Sequence, residues 1–266
     1  MKKFFAILVT AILCITCMAL AACDKVIPIE SISIVQPAST EIRAGESFEL
    51  AYTTAPEEAA KEIKVNWKID DTSVLSYKNG KFTALTCGTV KVKATVKGNT
   101  ATDEIELKVT APEGFSEYSN TGYKLVRPSN WSQSKVGQIY TWTASNGTTN
   151  MNVGTEELNK TYFVASAGSY QSMIETSYGL MGYTVKFDKA TTVKKSTYLG
   201  VKRVQVTYLY TLTKGSSTMK FHQTQLIFNN SDANLSCVLT VTFLQEDFDE
   251  DAAKLQQTIF NQFMPA

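Results

Sequence analysis

Few side chains in this 266-residue sequence are equipped for chemistry, and the scarcest is histidine, present once as His222. An imidazole serves as a general base, or as a metal ligand where others converge on it. His222 lies in "MKFHQTQLIF" with Lys220 and Thr224 at alternate positions, the polar side of a strand. Neither a G-x-S-x-G turn nor a His/Cys pair at ligand spacing accompanies it, so the expectation is a surface strand residue, with no triad and no zinc site. The run "DFDED" (247–251) offers carboxylates for calcium but lacks the glycine and distal glutamate of a calcium loop. Just ahead of an apolar periodic stretch it suits a helix N-terminus, whose dipole favours acidic side chains. Asp70-Asp71 reads as a turn, and no glycine-rich phosphate loop is present. A reactive thiol is better placed: "ALAAC" (19–23) ends an apolar run that begins at Phe4, behind Lys2 and Lys3.

Leu20-Ala21-Ala22-Cys23 resembles the lipobox of bacterial lipoproteins. The resemblance implies that the Cys23 thiol takes a diacylglyceryl group by thioether formation. Residues 1–22 would then leave as a signal peptide, with 23–30 remaining as a lipid-anchored tether. Two acyl chains matter, because at about 0.8 kcal/mol per buried CH₂ a single short chain holds only marginally. The alternative is an uncleaved anchor over Phe4 to Cys23, 20 residues long, although its threonines, cysteines and alanines make a weak membrane span. Either way the lysines stay inside, and the rest of the chain is expected at the cell membrane on its extracytoplasmic side.

Without the two leader lysines, 24 basic residues face 25 acidic ones. That balance gives no reason to expect nucleic acid as a partner. Cys87 and Cys237 are the remaining cysteines of a mature chain. A disulfide between them is permitted outside the cell, but two buried thiols are the preferred reading, because the residues fall in separate domains. No cofactor is expected.

The elements that must position any site come in two styles. From Ser31 to about Val109, short alternating runs are separated by turn residues; Val90, Val92, Ala94 and Val96 face one way, Lys91, Lys93 and Thr95 the other. Asn79-Gly80 is a strong hairpin signal. The stretch "VNWKIDDTSVLSYKNGKFTALTCGTVKVKATV" resembles the bacterial Ig-like (Big) family, with Trp67, Val74, Gly80, Ala84, Leu85, Gly88 and Thr89 at its characteristic places. The resemblance implies an all-β Ig-like sandwich over 31–111, with Trp67 in its core, serving as a spacer or adhesive module.

"TAPEGF" (110–115) marks the boundary to a second domain, 112–266. Tyr170, Met173, Ile174, Ser177, Tyr178 and Met181 form one helical stripe. Long alternating strands follow, carrying Val204, Val206, Tyr208, Tyr210 and Leu212, then Leu235, Cys237, Leu239, Val241 and Phe243. A closing helix turns Ala252, Leu255, Ile259 and Phe263 inward. This predicts an α+β domain with an antiparallel sheet packed by helices. "GYKLVRPSNW" (122–131) places Tyr123, Leu125, Pro128 and Trp131 as in the opening of the PsbP-like superfamily, which it resembles. That resemblance implies assembly and binding roles rather than catalysis, and no ion site can be matched residue by residue.

One polar set is left over. Arg203, Gln205, Thr207, Lys220, His222, Thr224, Ser236, Thr240 and Thr242 are expected on the sheet face opposite the core. That face is either simply solvated or a shallow binding surface, with Arg203, Gln205, Lys220, His222 and Thr240 the candidate contacts for an envelope protein, peptide or glycan. The favoured function is a lipid-anchored binding or scaffold protein of the envelope. A hydrolase working through two carboxylates is the runner-up, to be recognised by a deep cleft holding both; a purely mechanical spacer would show no concave surface.

Overall fold

Alternation and tight turns make strands of the whole N-terminal region in the computed structural model, which describes residues 28–58 and 63–266. The leader, Cys23 and most of the tether lie outside the described residues. The strands are β1 (Ser31–Ile34), β2 (Glu41–Arg43), β3 (Ser47–Phe48), β4 (Tyr52–Ala55), β5 (Val65–Ile69), β6 (Leu75–Lys78), β7 (Lys81–Ala84), β8 (Gly88–Val96) and β9 (Thr102–Thr110).

Among the described residues two compact units emerge, one of residues 28–35, 51–58, 63–68 and 93–104, the other of 36–50, 69–92 and 105–266. In the first, β1 pairs antiparallel with β4, and Ile32 and Ile34 point inward. There Trp67 is half-buried and meets Tyr52 edge-on at 6.4 Å, so it is a flank of that core and not its centre. In the second, β2 runs parallel to β9, and β3, β7 and β6 form an antiparallel sheet. Asn79 (φ 52°) and Gly80 (φ 84°) make the β6–β7 turn, both left-handed as a two-residue hairpin of this twist requires. Val90, Val92, Ala94 and Val96 of β8 are all buried, as their alternation predicts.

The second unit continues with a hairpin of β10 (Phe115–Asn120) and β11 (Tyr123–Pro128). Gly122 closes it at φ 87°, where a Cβ would also meet Leu235 Cδ1 at 2.8 Å. Then come β12 (Ser132–Val136), β13 (Ile139–Thr143), β14 (Asn150–Glu157), helix α1 (Ala167–Leu180), β15 (Thr184–Phe187), β16 (Thr192–Tyr198), β17 (Val201–Lys214), β18 (Ser217–Asn230), β19 (Leu235–Leu244) and helix α2 (Glu250–Gln262). The strands form one antiparallel sheet in the order β12-β13-β14-β19-β18-β17-β15, with β16 pairing β17 beside β15. Ser166 caps α1 by accepting from Ser169 N–H, and Asp249 caps α2 by accepting from Ala252 N–H at 2.9 Å, so the acidic run is a helix start as expected. At the other end of α2, the Gln262 amide accepts from Cys87 N–H (3.0 Å) and donates to Leu85 C=O (2.7 Å). Cys87 and Cys237 are both buried and free.

The sheet is covered on both faces, and this differs from the single core that the sequence suggests. Register decides it, since directly paired residues share a face. Leu239 pairs Leu226 and Cys237 pairs Phe228, so the apolar side of β19 lies with those residues under α2 and the β10–β11 hairpin. Val204 instead pairs Ile227, which pairs Val238, so the apolar side of β17 lies on the opposite face, under α1. Only Tyr170, Ile174 and Tyr178 of the expected helical stripe turn toward that second core. Met173 and Met181 are half exposed, because a short helix over one side of a flat sheet buries a narrower strip than a bundle helix does.

Candidate functional site

Helix α1 covers β17 but stops short of β14 and β19, and the part of that face left open is a cleft of about 700 Å³. Its floor is built by register. Asn150 of β14 pairs Thr242 of β19, which pairs Gln223 of β18; two residues along, Asn152 pairs Thr240, which pairs Gln225. The result is two parallel rows, each amide, hydroxyl, amide. Apolar and aromatic side chains form the walls: Ile174, Tyr178 and Met181 at the α1 edge, with Tyr183, Met219 and Phe221 beyond. A second cavity of about 520 Å³ adjoins through Thr148 and Met219 and takes in Lys220 and Glu246.

The floor's glutamines are oriented from the neighbouring strand β17. Tyr210 Oη–H donates to Gln223 Oε1 at 2.7 Å and Tyr208 Oη–H to Gln225 Oε1 at 3.0 Å. Burial pushes both phenols well above the usual tyrosine range, so each stays protonated and available as a donor. The glutamine oxygens are thus occupied, and among the described residues nothing accepts from either Nε2. Asn150 Nδ2 donates to Thr148 C=O at 2.9 Å, which leaves its Oδ1 for the cleft. Asn152, Thr240 and Thr242 make no side-chain hydrogen bond with the described residues. Among the described residues no carboxylate, lysine, arginine or histidine lines this cleft, and Tyr178 and Tyr183 are its only ionisable side chains. Among the described residues no cluster of three or more His, Cys, Asp and Glu could hold a metal, and no helix is long and apolar enough to cross a membrane.

The nine residues expected on one polar face are divided between two. Ser236, Thr240 and Thr242 share the α1 face with the cleft, whereas Arg203, Gln205, Thr207, Lys220, His222 and Thr224 share the α2 face. Of the five candidate contacts only Thr240 belongs to the cleft. Arg203 is 4% exposed and holds the end of α2: Nη1 donates to Phe260 C=O at 3.0 Å and Nη2 to Phe263 C=O. Its guanidinium also lies over the Tyr198 ring at 4.5 Å. Burial depresses its pKa to about 10, against the smaller raising effect of Tyr198. His222 is not a surface residue either; it stacks on Phe248 with ring centroids 3.4 Å apart, and burial pushes its pKa down to about 4. Gln205 is half-buried and Lys220 is exposed on the same side. Cys23 lies outside the described residues.

Sequence reasoning passed over Asn150, Asn152, Gln223 and Gln225. The signal was present as paired polar residues two apart inside apolar strands: "NMNV", "QTQL" and "TVTF". Such pairs mark a side of a strand that is polar yet surrounded by packing.

With this geometry in place, the similarities to known proteins are these. The model of the bacterial Ig-like domain (group 2) family matches residues 28–106. Among solved structures, the cyanobacterial PsbP (CyanoP) of Synechocystis is 13% identical, with a TM-score of 0.45 over 58% of this chain and 94% of that one. The Ran-binding protein Mog1p of Saccharomyces cerevisiae is 11% identical, with a TM-score of 0.35 over 56% of this chain and 94% of that one. No curated protein matches the chain. The N-terminal region, residues 28–106, is a bacterial Ig-like domain.

Proposed function

We propose that this chain is a lipid-anchored binding protein of the bacterial envelope, held by Cys23 on the extracytoplasmic side, with the Ig-like domain as spacer and the cleft over β14, β19 and β18 as its ligand site. The observation that carries the reading is the cleft floor. Two rows of amides and hydroxyls, their glutamines oriented by buried tyrosines, are left with unused donors and acceptors inside a concavity of the size that small ligands fill. The lining lacks the paired carboxylates that a glycosidase-type hydrolase needs, which favours holding a ligand over turning one over. The lipobox resemblance at Leu20 to Cys23 supports the anchor.

Hydrogen–deuterium exchange of the full chain, with and without solubilised envelope fractions, tests the site. Protection is expected at 150–153, 174–183 and 223–242; the absence of protection there with every fraction would remove the cleft from the proposal. Metabolic labelling with an alkynyl palmitate tests the anchor. Label is expected on the wild type and absent from Cys23→Ser, and an unlabelled wild type would refute lipidation.

A further inference from the structure

We propose that the cleft's ligand is a neutral saccharide, an inference that rests on the cleft being the ligand site. Three features of the floor and walls select that chemistry.

The first is where the hydrogen-bonding capacity resides. The floor strands are interior: β14 is paired by β13 and β19, β19 by β14 and β18, and β18 by β19 and β17. Their backbone N–H and C=O groups are committed to the ladders, so a ligand meets side chains only. An extended peptide binds a sheet chiefly by adding main-chain bonds at an open edge, which an interior floor does not offer.

The second is the kind of capacity. Gln223 and Gln225 present Nε2 donors, Asn150 an Oδ1 acceptor, Asn152 a whole amide, and Thr240 and Thr242 hydroxyls that serve either way. Strand and pleat spacing set these groups about 4.8 Å apart across the sheet and about 7 Å apart along it. A polyol, whose every hydroxyl both donates and accepts, can answer each of them. An apolar ligand would leave them buried and unpaired, at a cost of about 1–3 kcal/mol each. Thr240 and Thr242 are each only 7% exposed and Gln223 is 4% exposed, so water reaches them through the cleft mouth and a ligand seated there takes its place.

The third is the walls. Phe221 and Tyr183 contribute rings to the walls, the latter with Lys214 Nζ over one face at 4.9 Å, and Met181 a polarizable edge; such apolar surface suits the C–H face of a pyranose. The lining itself holds no charged side chain, and Lys214 beside the wall is already committed to Met181 C=O (2.9 Å) and the Tyr183 ring (4.9 Å), so an acidic or basic sugar would be desolvated with little compensation.

Isothermal titration of the full chain in a sugar-free detergent tests this, using cello-, chito- and mannotetraose, an oligogalacturonate of equal length and a neutral tetrapeptide. Thr240→Val and Asn152→Val serve as site variants, since neither side chain hydrogen-bonds within the described protein and both replacements suit a strand. At least one neutral tetrasaccharide is expected to bind, and each variant is expected to weaken it about tenfold or more with an unchanged melting temperature. Saccharide binding indifferent to both variants overturns the inference. Variant-sensitive binding of the peptide or the galacturonate alone overturns the saccharide class while leaving the cleft as ligand site. No binding by any of the three neutral saccharides overturns the class as well; if envelope fractions also fail to protect the cleft strands from exchange, the ligand site falls with it.

Discussion

Replacing Arg203 separates a residue that holds a helix from one that greets a ligand. The guanidinium supplies the donors for Phe260 C=O and Phe263 C=O, two of the carbonyls that α2 leaves open at its C-terminal end. Arg203→Met keeps much of the side chain's length and apolar bulk but orphans Phe263 C=O, at about 1–3 kcal/mol, and leaves Phe260 C=O with only the long bond from Phe263 N–H at 3.4 Å. Against this, the guanidinium is itself held at a loss. Its pKa falls from 12.5 to about 10, which at 1.36 kcal/mol per pKa unit is about 3 kcal/mol of burial that Tyr198 does not offset. The two effects nearly cancel, so Arg203→Met is expected to change stability by no more than about 2 kcal/mol in either direction. Arg203→Glu leaves the same carbonyls without the guanidinium and sets a carboxylate against their oxygens, adding about 3–5 kcal/mol for an uncompensated buried charge. For a compact unit of about 200 residues each kcal/mol moves Tm by about 2–4 °C. The Met variant should therefore melt within several degrees of wild type and the Glu variant more than about 10 °C below it. Near-UV circular dichroism melts of both variants at pH 7 give the comparison. An Arg203→Glu protein that melts within about 2 °C of wild type would refute the buried anchor and return Arg203 to the surface.

His222 should make the fold acid-sensitive. Burial holds its pKa near 4 in the folded chain, against 6.5 when unfolded, so between those values the unfolded state binds the extra proton. The stability is complete above pH 6.5 and is lost as pH falls toward 4. Because the ring is only partly buried, the loss is about 1–2 kcal/mol, readable as a lowered urea midpoint at pH 4.5 that His222→Gln does not share; equal losses in both proteins would contradict the neutral stacked imidazole. Burial also raises the Cys87 and Cys237 thiols to about 12, so at pH 8 neither should react with an aromatic disulfide reagent until denaturant is added. Rapid labelling of either in the native protein would show that its pocket is open.

Local features were legible where they are self-contained. Asn79-Gly80 dictates its own turn, the valines of β8 declare their buried side, and Asp249 with its acidic successors announces α2, because each of these is decided within a few residues. The Ig-like pattern was legible for the same reason, as a string of turns and alternations at fixed intervals. Strands β12, β13 and β14 were harder to see. Every residue of β12 is exposed, and β13 buries only Trp142, so neither carries the apolar alternation that marks a strand. Their order in the sheet, with β14 inserted beside β19 from far away in sequence, is a long-range pairing that no local window encodes.

The polar face was misassigned for a deeper reason, and the reason points to the site. Alternation says which residues of one strand share a side; it says nothing about which sides of neighbouring strands coincide, and a shift of one residue exchanges them. Val204 and Leu239 each belong to a plainly apolar stripe, yet register places them on opposite faces. A sheet covered twice therefore has no single polar face, only polar residues that must each find a partner or remain unanswered. On the α2 side Arg203 finds the end of a helix and His222 finds Phe248. On the α1 side Gln223 and Gln225 find the tyrosine hydroxyls with their oxygens alone. Thr240, Thr242 and Asn152 find no side-chain partner among the described residues. These side chains open onto the cleft instead of being sealed in the core, and the place where such groups gather without protein partners is where a ligand has the most to offer.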